Sequence, residues 1–233
     1  KIKQKKNNMH IVPTLLEPTE GGLIYQLTRL SPFYNTFQID IVDGKFAPNT
    51  TLDGAAVLCA LKKLPIKLQN QLILDFHVMA IDYEKEIAVI KEIEGLVKVQ
   101  NILLHVDLSP NYFLLASTFS SFTFGAVLNS EDNVRETMDH YNLSSLPIIQ
   151  LMTVRVGFQG SPFIQQTLIK IEQLRNAGYM GQIFIDGSVN EETIPQVFSK
   201  KQRPNVLCVG SYLTHAQDLP ARVEYLKAKA FSV

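Results

Sequence analysis

LILDFHV (72–78), YEKEIAVIKEIEGL (83–96) and ILLHVDL (102–108) follow one another in the middle of the chain. The two outer segments are short apolar runs with no clean apolar/polar alternation, the pattern of strands covered on both faces. The segment between them places Ile87, Ile90 and Ile93 three residues apart, a helical spacing. Strand, helix, strand in that order predicts a right-handed crossover between parallel strands. The alternation continues in both directions. HIVPTLL (10–16) and FQIDIV (37–42) lie before it, and FTFGAVL (122–128), PIIQLMTV (147–154), QIFIDG (182–187) and NVLCVG (205–210) lie after it. Eight such units within 233 residues predict a closed (β/α)8 TIM barrel forming a single domain over 1–233. An open doubly wound sheet is the rival; no strand-turn-helix carries GxGxxG, which counts against its dinucleotide-binding form.

Helix ends are also marked. Ser161-Pro162 reads as an N-cap with Pro at the first helical position, and Gly178 as the glycine closing the same helix. Asn190 is a candidate cap, with Pro195 predicting a short or late helix.

Composition narrows the function. Twenty-two Lys+Arg balance 22 Asp+Glu, which argues against a nucleic-acid or membrane-surface binder. No uncharged run approaches a membrane span of about 20 residues. Two separate cysteines, Cys59 and Cys208, exclude a disulfide scaffold and suit a reducing, cytoplasmic compartment. Both read as packed small hydrophobes. The basic run KIKQKKNN (1–8) lacks the apolar stretch of a signal peptide and reads as a solvated N-terminal extension.

Chemistry in a (β/α)8 barrel belongs at the C-terminal ends of strands. Titratable residues gather there: Asp40 and Asp43, Asp75 and His77, His105 and Asp107, Arg155, and Asp186. Acids and imidazoles are costly in apolar strands unless paired or bound to a metal, so several together argue for one shared site. Gln38 and Asp40 are two apart and share a face. Glycine-containing turns follow the three late strands: Gly157 and Gly160, Gly187-Ser188, and Gly210-Ser211. Backbone N–H groups at such turns suit a phosphate.

These residues resemble a known family nearly end to end. QIDIVDGKFAPN (38–49) is similar to the His-x-Asp-x-Met-Asp-Gly-x-Phe-x-Pro-Asn signature of ribulose-phosphate 3-epimerases. IVPTLL (11–16), DFHVM (75–79), MTVRVGFQGSPF (152–163), IDGSVN (185–190) and VGS (209–211) resemble its other motifs in the same order. The resemblance implies a ribulose-phosphate-binding barrel, an isomerase of the pentose phosphate pathway that interconverts D-ribulose 5-phosphate and D-xylulose 5-phosphate. It implies one divalent metal ion (Zn, Fe, Mn or Co) and a homo-oligomer. By position, Asp40 and Asp186 would be the acid/base pair and metal ligands, with His77 a further ligand. Thr14, His77, Met79 and Met152 would contact the substrate, and Gly157, Gly160, Gly187, Ser188, Gly210 and Ser211 would hold its phosphate.

The departures fall at the site. Gln38 replaces the first ligand histidine and offers only a neutral amide oxygen. Val42 replaces a methionine, Arg155-Val156 replaces x-Pro, and Ser188 replaces a glycine, which is tolerable where φ is negative. The expected function is therefore C3 epimerisation of a ketose phosphate through an enediolate. The alternatives are a weakly active or non-catalytic phosphosugar-binding relative with an incomplete metal site, or a different phosphosugar lyase or isomerase. Of the remaining residues, His105 and Asp107 read as supporting hydrogen-bonding groups on one strand face, and Asp43 as a turn residue. Asp75 reads as a support for His77 or its neighbouring strand. His10, His140 and His215 read as surface or cap residues.

Overall fold

The computed structural model describes residues 9–156 and 160–230. Eight parallel strands close into a barrel in chain order: β1 His10–Leu15, β2 Thr36–Val42, β3 Ile73–Met79, β4 Lys98–His105, β5 Thr123–Leu128, β6 Ile148–Met152, β7 Gln182–Asp186 and β8 Val206–Val209. β8 pairs with β1 at Val12↔Cys208, which closes the ring.

Strand residues alternate between two cores. Val12, Leu103, Val127, Ile148, Met152, Phe184, Val206 and Cys208 form one buried cluster inside the ring. Their neighbours, such as Ile39, Phe76, Ile102, Ile149 and Ile185, belong to a larger cluster with Leu23, Leu27, Ile87, Ile90 and Leu174 of the surrounding helices. The strands are thus buried on both faces, which explains the missing alternation in the sequence, while β2 and β3 turn polar residues such as Gln38 and His77 inward.

The helix Tyr83–Ile93 stands where the apolar spacing places it, and the helix Glu20–Leu30 buries Leu23, Leu27 and Leu30. Thr19 caps the latter, its side chain accepting from the Gly22 amide. The helix Ile169–Asn176 ends in a Schellman closure: Tyr179 N–H donates to Leu174 O and Gly178 N–H to Arg175 O, both at 3.0 Å. Gly178 takes φ +87°, the left-handed geometry that favours glycine there.

Three local expectations are corrected. β4 begins at Lys98 and stops at His105, and Val106–Leu108 form a single 3-10 turn. Lys98 and Gln100 are exposed at the strand's start and hide it from an apolar count. Asp107 therefore lies in the turn and not on the strand face shared with His105. Ser161-Pro162 does not start a helix: Ile164 N–H donates to Thr153 O at 2.7 Å, keeping the chain along β6 until the turn Gln165–Leu168. Asn190 caps a turn, accepting from the Glu192 and Thr193 amides, and the helix itself waits until Ile194–Phe198. No helix among the described residues is long and apolar enough to cross a membrane.

Candidate active site

Register brings the polar strand ends to one place. Asp40 of β2 is level with His77 of β3, and Met152 of β6 is level with Asp186 of β7. Thr14 of β1 is level with Gln38. These ends open into one pocket. Thr14, Asp40, His77, Met79, Met152 and Asp186 line it, together with Gly160, Gly187, Ser188, Gly210 and Ser211 of the late turns. The sequence-predicted residues thus converge on a single pocket. Two stand apart: Gln38 is fully buried and is not part of the pocket lining, and Gly157 lies outside the described residues.

Gln38 joins the two acids. Its Nε2 donates to Asp40 Oδ1 at 2.9 Å and to Asp186 Oδ2 at 2.7 Å. Carboxylate oxygens accept, so the amide nitrogen faces them, and the amide oxygen accepts from Cys208 Sγ at 3.5 Å. Gln150 Nε2 adds a third donor to this network, reaching Asp186 Oδ2 at 3.1 Å. The Asp186 carboxyl is pushed up to about 7, first by burial and then by the charge of Asp40, while His77 and the Gln38 hydrogen bond pull the other way. Burial beside a second acid thus favours the protonated form of Asp186 more than water would.

The donor set fits a divalent cation. His77 Nδ1 and the carboxylates of Asp40 and Asp186 offer ligand atoms within 4.8 Å of one another. His77 Nδ1 lies 3.4 Å from Asp40 Oδ1 and 3.7 Å from Asp186 Oδ2, buried and without a hydrogen-bond partner. One imidazole and two carboxylates suit a catalytic site with open positions. Gln38 presents nitrogen to this space and is not turned to ligate.

The late turns form the opposite wall. Gly187 takes φ +118°, and a Cβ there would stand 2.9 Å from Val154 N, so glycine is required. Ser188 corrects the expectation of negative φ: it stands at φ +52°, in the left-handed region. Its Oγ donates to Ser161 O, which ties the turn after β7 to the segment after β6.

The surrounding residues take supporting places. Asp43 accepts from the amides of Lys45, Phe46 and Ile81, joining the loops after β2 and β3 as a turn residue. Asp75 is buried and accepts from Asn101 N–H at 3.2 Å; burial pushes its carboxyl up to about 6. Asp107 accepts from Asn129 Nδ2 at 2.7 Å. His10, His140 and His215 are exposed, as is Arg155. Cys208 is buried as expected; Cys59 is exposed, contrary to its reading as a packed residue, because it falls on the outer side of its helix. Sequence reasoning missed Gln150. Its signal was a lone amide inside PIIQLMTV, two residues before Met152 and so on the same face.

Comparison with known proteins agrees with this geometry. The chain is 25% identical to a ribulose-phosphate 3-epimerase of Helicobacter pylori over 225 residues, covering 94% of this chain and 97% of that protein. It is 29% identical to the Bacillus subtilis ribulose-phosphate 3-epimerase over 180 residues, covering 74% and 76%. Among solved structures, 3-hexulose-6-phosphate synthase from Salmonella typhimurium superposes with a TM-score of 0.65 at 11% identity, covering 95% and 98%. The KGPDC of Streptococcus mutans does so with 0.66 at 10%, covering 95% and 97%; both likenesses concern the fold alone. The profile of the ribulose-phosphate 3 epimerase family matches residues 11–214. With its barrel closed and its acids gathered at the strand ends, the chain belongs to the ribulose-phosphate 3-epimerase family.

Proposed function

We propose that the protein epimerises a ketose phosphate at C3, interconverting D-ribulose 5-phosphate and D-xylulose 5-phosphate or a close analogue. The observation that carries this reading is the pair Asp40 and Asp186, which approach one pocket from β2 and β7 and meet at a single amide nitrogen. Inverting a carbon beside a carbonyl requires removal of a proton from one face and its return on the other. One carboxylate takes the C3 proton while the other, still protonated, delivers its own to the opposite face; the reverse reaction exchanges their roles. The raised carboxyl of Asp186 supports a divided protonation state near neutral pH.

Asp40, His77 and Asp186 would hold the divalent cation, which when bound supplies Lewis-acid stabilisation of negative charge developing on the sugar oxygens. Thr14, Met79 and Met152 then position and cover the reacting carbons. Backbone N–H groups of Gly160, Gly187, Ser188, Gly210 and Ser211 bind the phosphate, fixing the sugar at a distance from the reacting carbon. A phosphorylated sugar is the partner this pocket suits, and as in the family we expect the chain to act as a homo-oligomer.

A second reading has its own support. The Gln38 amide already satisfies both acids from below, which favours a phosphosugar-binding relative of low activity. Purified protein loaded in turn with Zn, Fe, Mn and Co separates the two. Bound metal together with turnover of D-ribulose 5-phosphate supports the epimerase. Phosphosugar binding with neither metal nor turnover supports the second reading.

A further inference from the structure

His105 is an imidazole at the site for which the epimerase chemistry has no use. It ends β4, fully buried, with Nε2 at 2.9 Å from His77 Nε2. The two rings stack with centroids 5.0 Å apart, and Phe46 packs on His105 at 4.8 Å. Two ring nitrogens at that distance share one proton: one donates and the other accepts. The other nitrogen of His77, Nδ1, faces Asp40 and Asp186. To offer a lone pair to a cation held between this nitrogen and the two acids, His77 must carry its proton on Nε2. His105 Nε2 must then accept, and its own proton must sit on Nδ1.

The next residues outward favour that arrangement. Asn129 Nδ2 is taken by Asp107 Oδ2, which leaves the Asn129 amide oxygen as an acceptor. Asn129 Oδ1 and His105 Nδ1 are both buried and neither has a hydrogen-bond partner among the described residues, and the Asn129 side chain lies close enough to act on His105.

We propose that His105 is a positioning residue that locks His77 as its Nε2–H tautomer, so that Nδ1 presents a lone pair to a cation held with Asp40 and Asp186, while Asn129 and Asp107 fix the tautomer of His105 in turn. The proposal rests on the metal-binding reading given above. The lock matters more in this chain because Gln38 leaves His77 as the one imidazole of the ligand set.

Ring 15N NMR of the full-length, metal-free protein reads both tautomers. The expected spectrum has His77 protonated on Nε2 and His105 on Nδ1. Protonation of His77 on Nδ1 overturns the proposal whatever the turnover of D-ribulose 5-phosphate, so its failure is distinct from failure of the epimerase reading. His105→Phe removes the acceptor; it should mix the His77 tautomers and weaken zinc binding about 10–100-fold. His105→Gln restores an accepting oxygen and should recover most of that affinity. Equal zinc affinity in all three proteins, or no rescue by His105→Gln, contradicts the lock. If His105→Phe does not fold, Asn129→Leu tests the same chain from outside: it should disturb both tautomers, and an unchanged spectrum overturns the proposal.

Discussion

At the scale of single residues, position 38 sets what the two acids meet. A glutamine here supplies an N–H to two acids, whereas a histidine could supply a lone pair to a cation. The pocket already holds one imidazole and two carboxylates in ligand positions. Gln38→His is therefore expected to raise zinc affinity at least tenfold, of the order that even outer partners of a ligand are worth, and to raise turnover with it. Isothermal titration with zinc checks the first part, and unchanged affinity would show that the new ring does not reach the cation. The acids and His77 were legible in the sequence because polar residues stand out in buried apolar strands. Gln150 and the link from His105 to His77 were not, since both depend on the register between neighbouring strands, β6 with β7 and β3 with β4.

At the scale of elements, strand positions were legible and strand ends were not. In ILLHVDL apolar Val106 and Leu108 continue the pattern past His105, where β4 stops, so the turn at Val106–Leu108 becomes visible only in the structure. The turn after β7 was misread because glycine and serine are both common in turns and only φ separates them. Ser188 combines a left-handed backbone with a hydrogen bond from its Oγ. Ser188→Ala loses the bond and keeps the strain; Ser188→Gly loses both. The glycine variant should thus be more stable than the alanine variant by about 1 kcal/mol in urea unfolding. Equal stabilities would mean that the strain is not felt.

Glu86 offers a pH test at the contact between two helices. It accepts from Gly54 N–H at 2.7 Å beside Asp53 and Asp82, and burial first, then these acids, raises its carboxyl. A carboxyl raised in the folded state gives stability below its unfolded value and loses it as pH rises through the folded one. Glu86→Gln keeps an acceptor without the charge. It should match the parent near pH 4 and exceed it at pH 8, as read by denaturant midpoints. An advantage that grows toward low pH would reverse the assigned direction.

At the scale of the whole molecule, the barrel was legible because each strand is buried on two faces and repeats with a helix between. Closure places residues 40, 77 and 186, far apart in sequence, around one pocket. A cation bound there links β2, β3 and β7 in the folded state and is lost on unfolding. Free zinc at 100 times its dissociation constant should stabilise the chain by about 2.7 kcal/mol. The shift in the unfolding midpoint should vanish in His77→Ala. A shift that survives this change would place the cation elsewhere.

The proposed reaction stands on proton transfer at C3 by the two acids. The most direct measurement incubates metal-loaded protein with D-ribulose 5-phosphate in D2O and follows deuterium at C3 by NMR. The prediction is D-xylulose 5-phosphate labelled at C3, with Asp40→Asn and Asp186→Asn each slowing its formation by about 10²–10⁴-fold. Absence of label at C3 in the wild type, or full exchange in either variant, would contradict it.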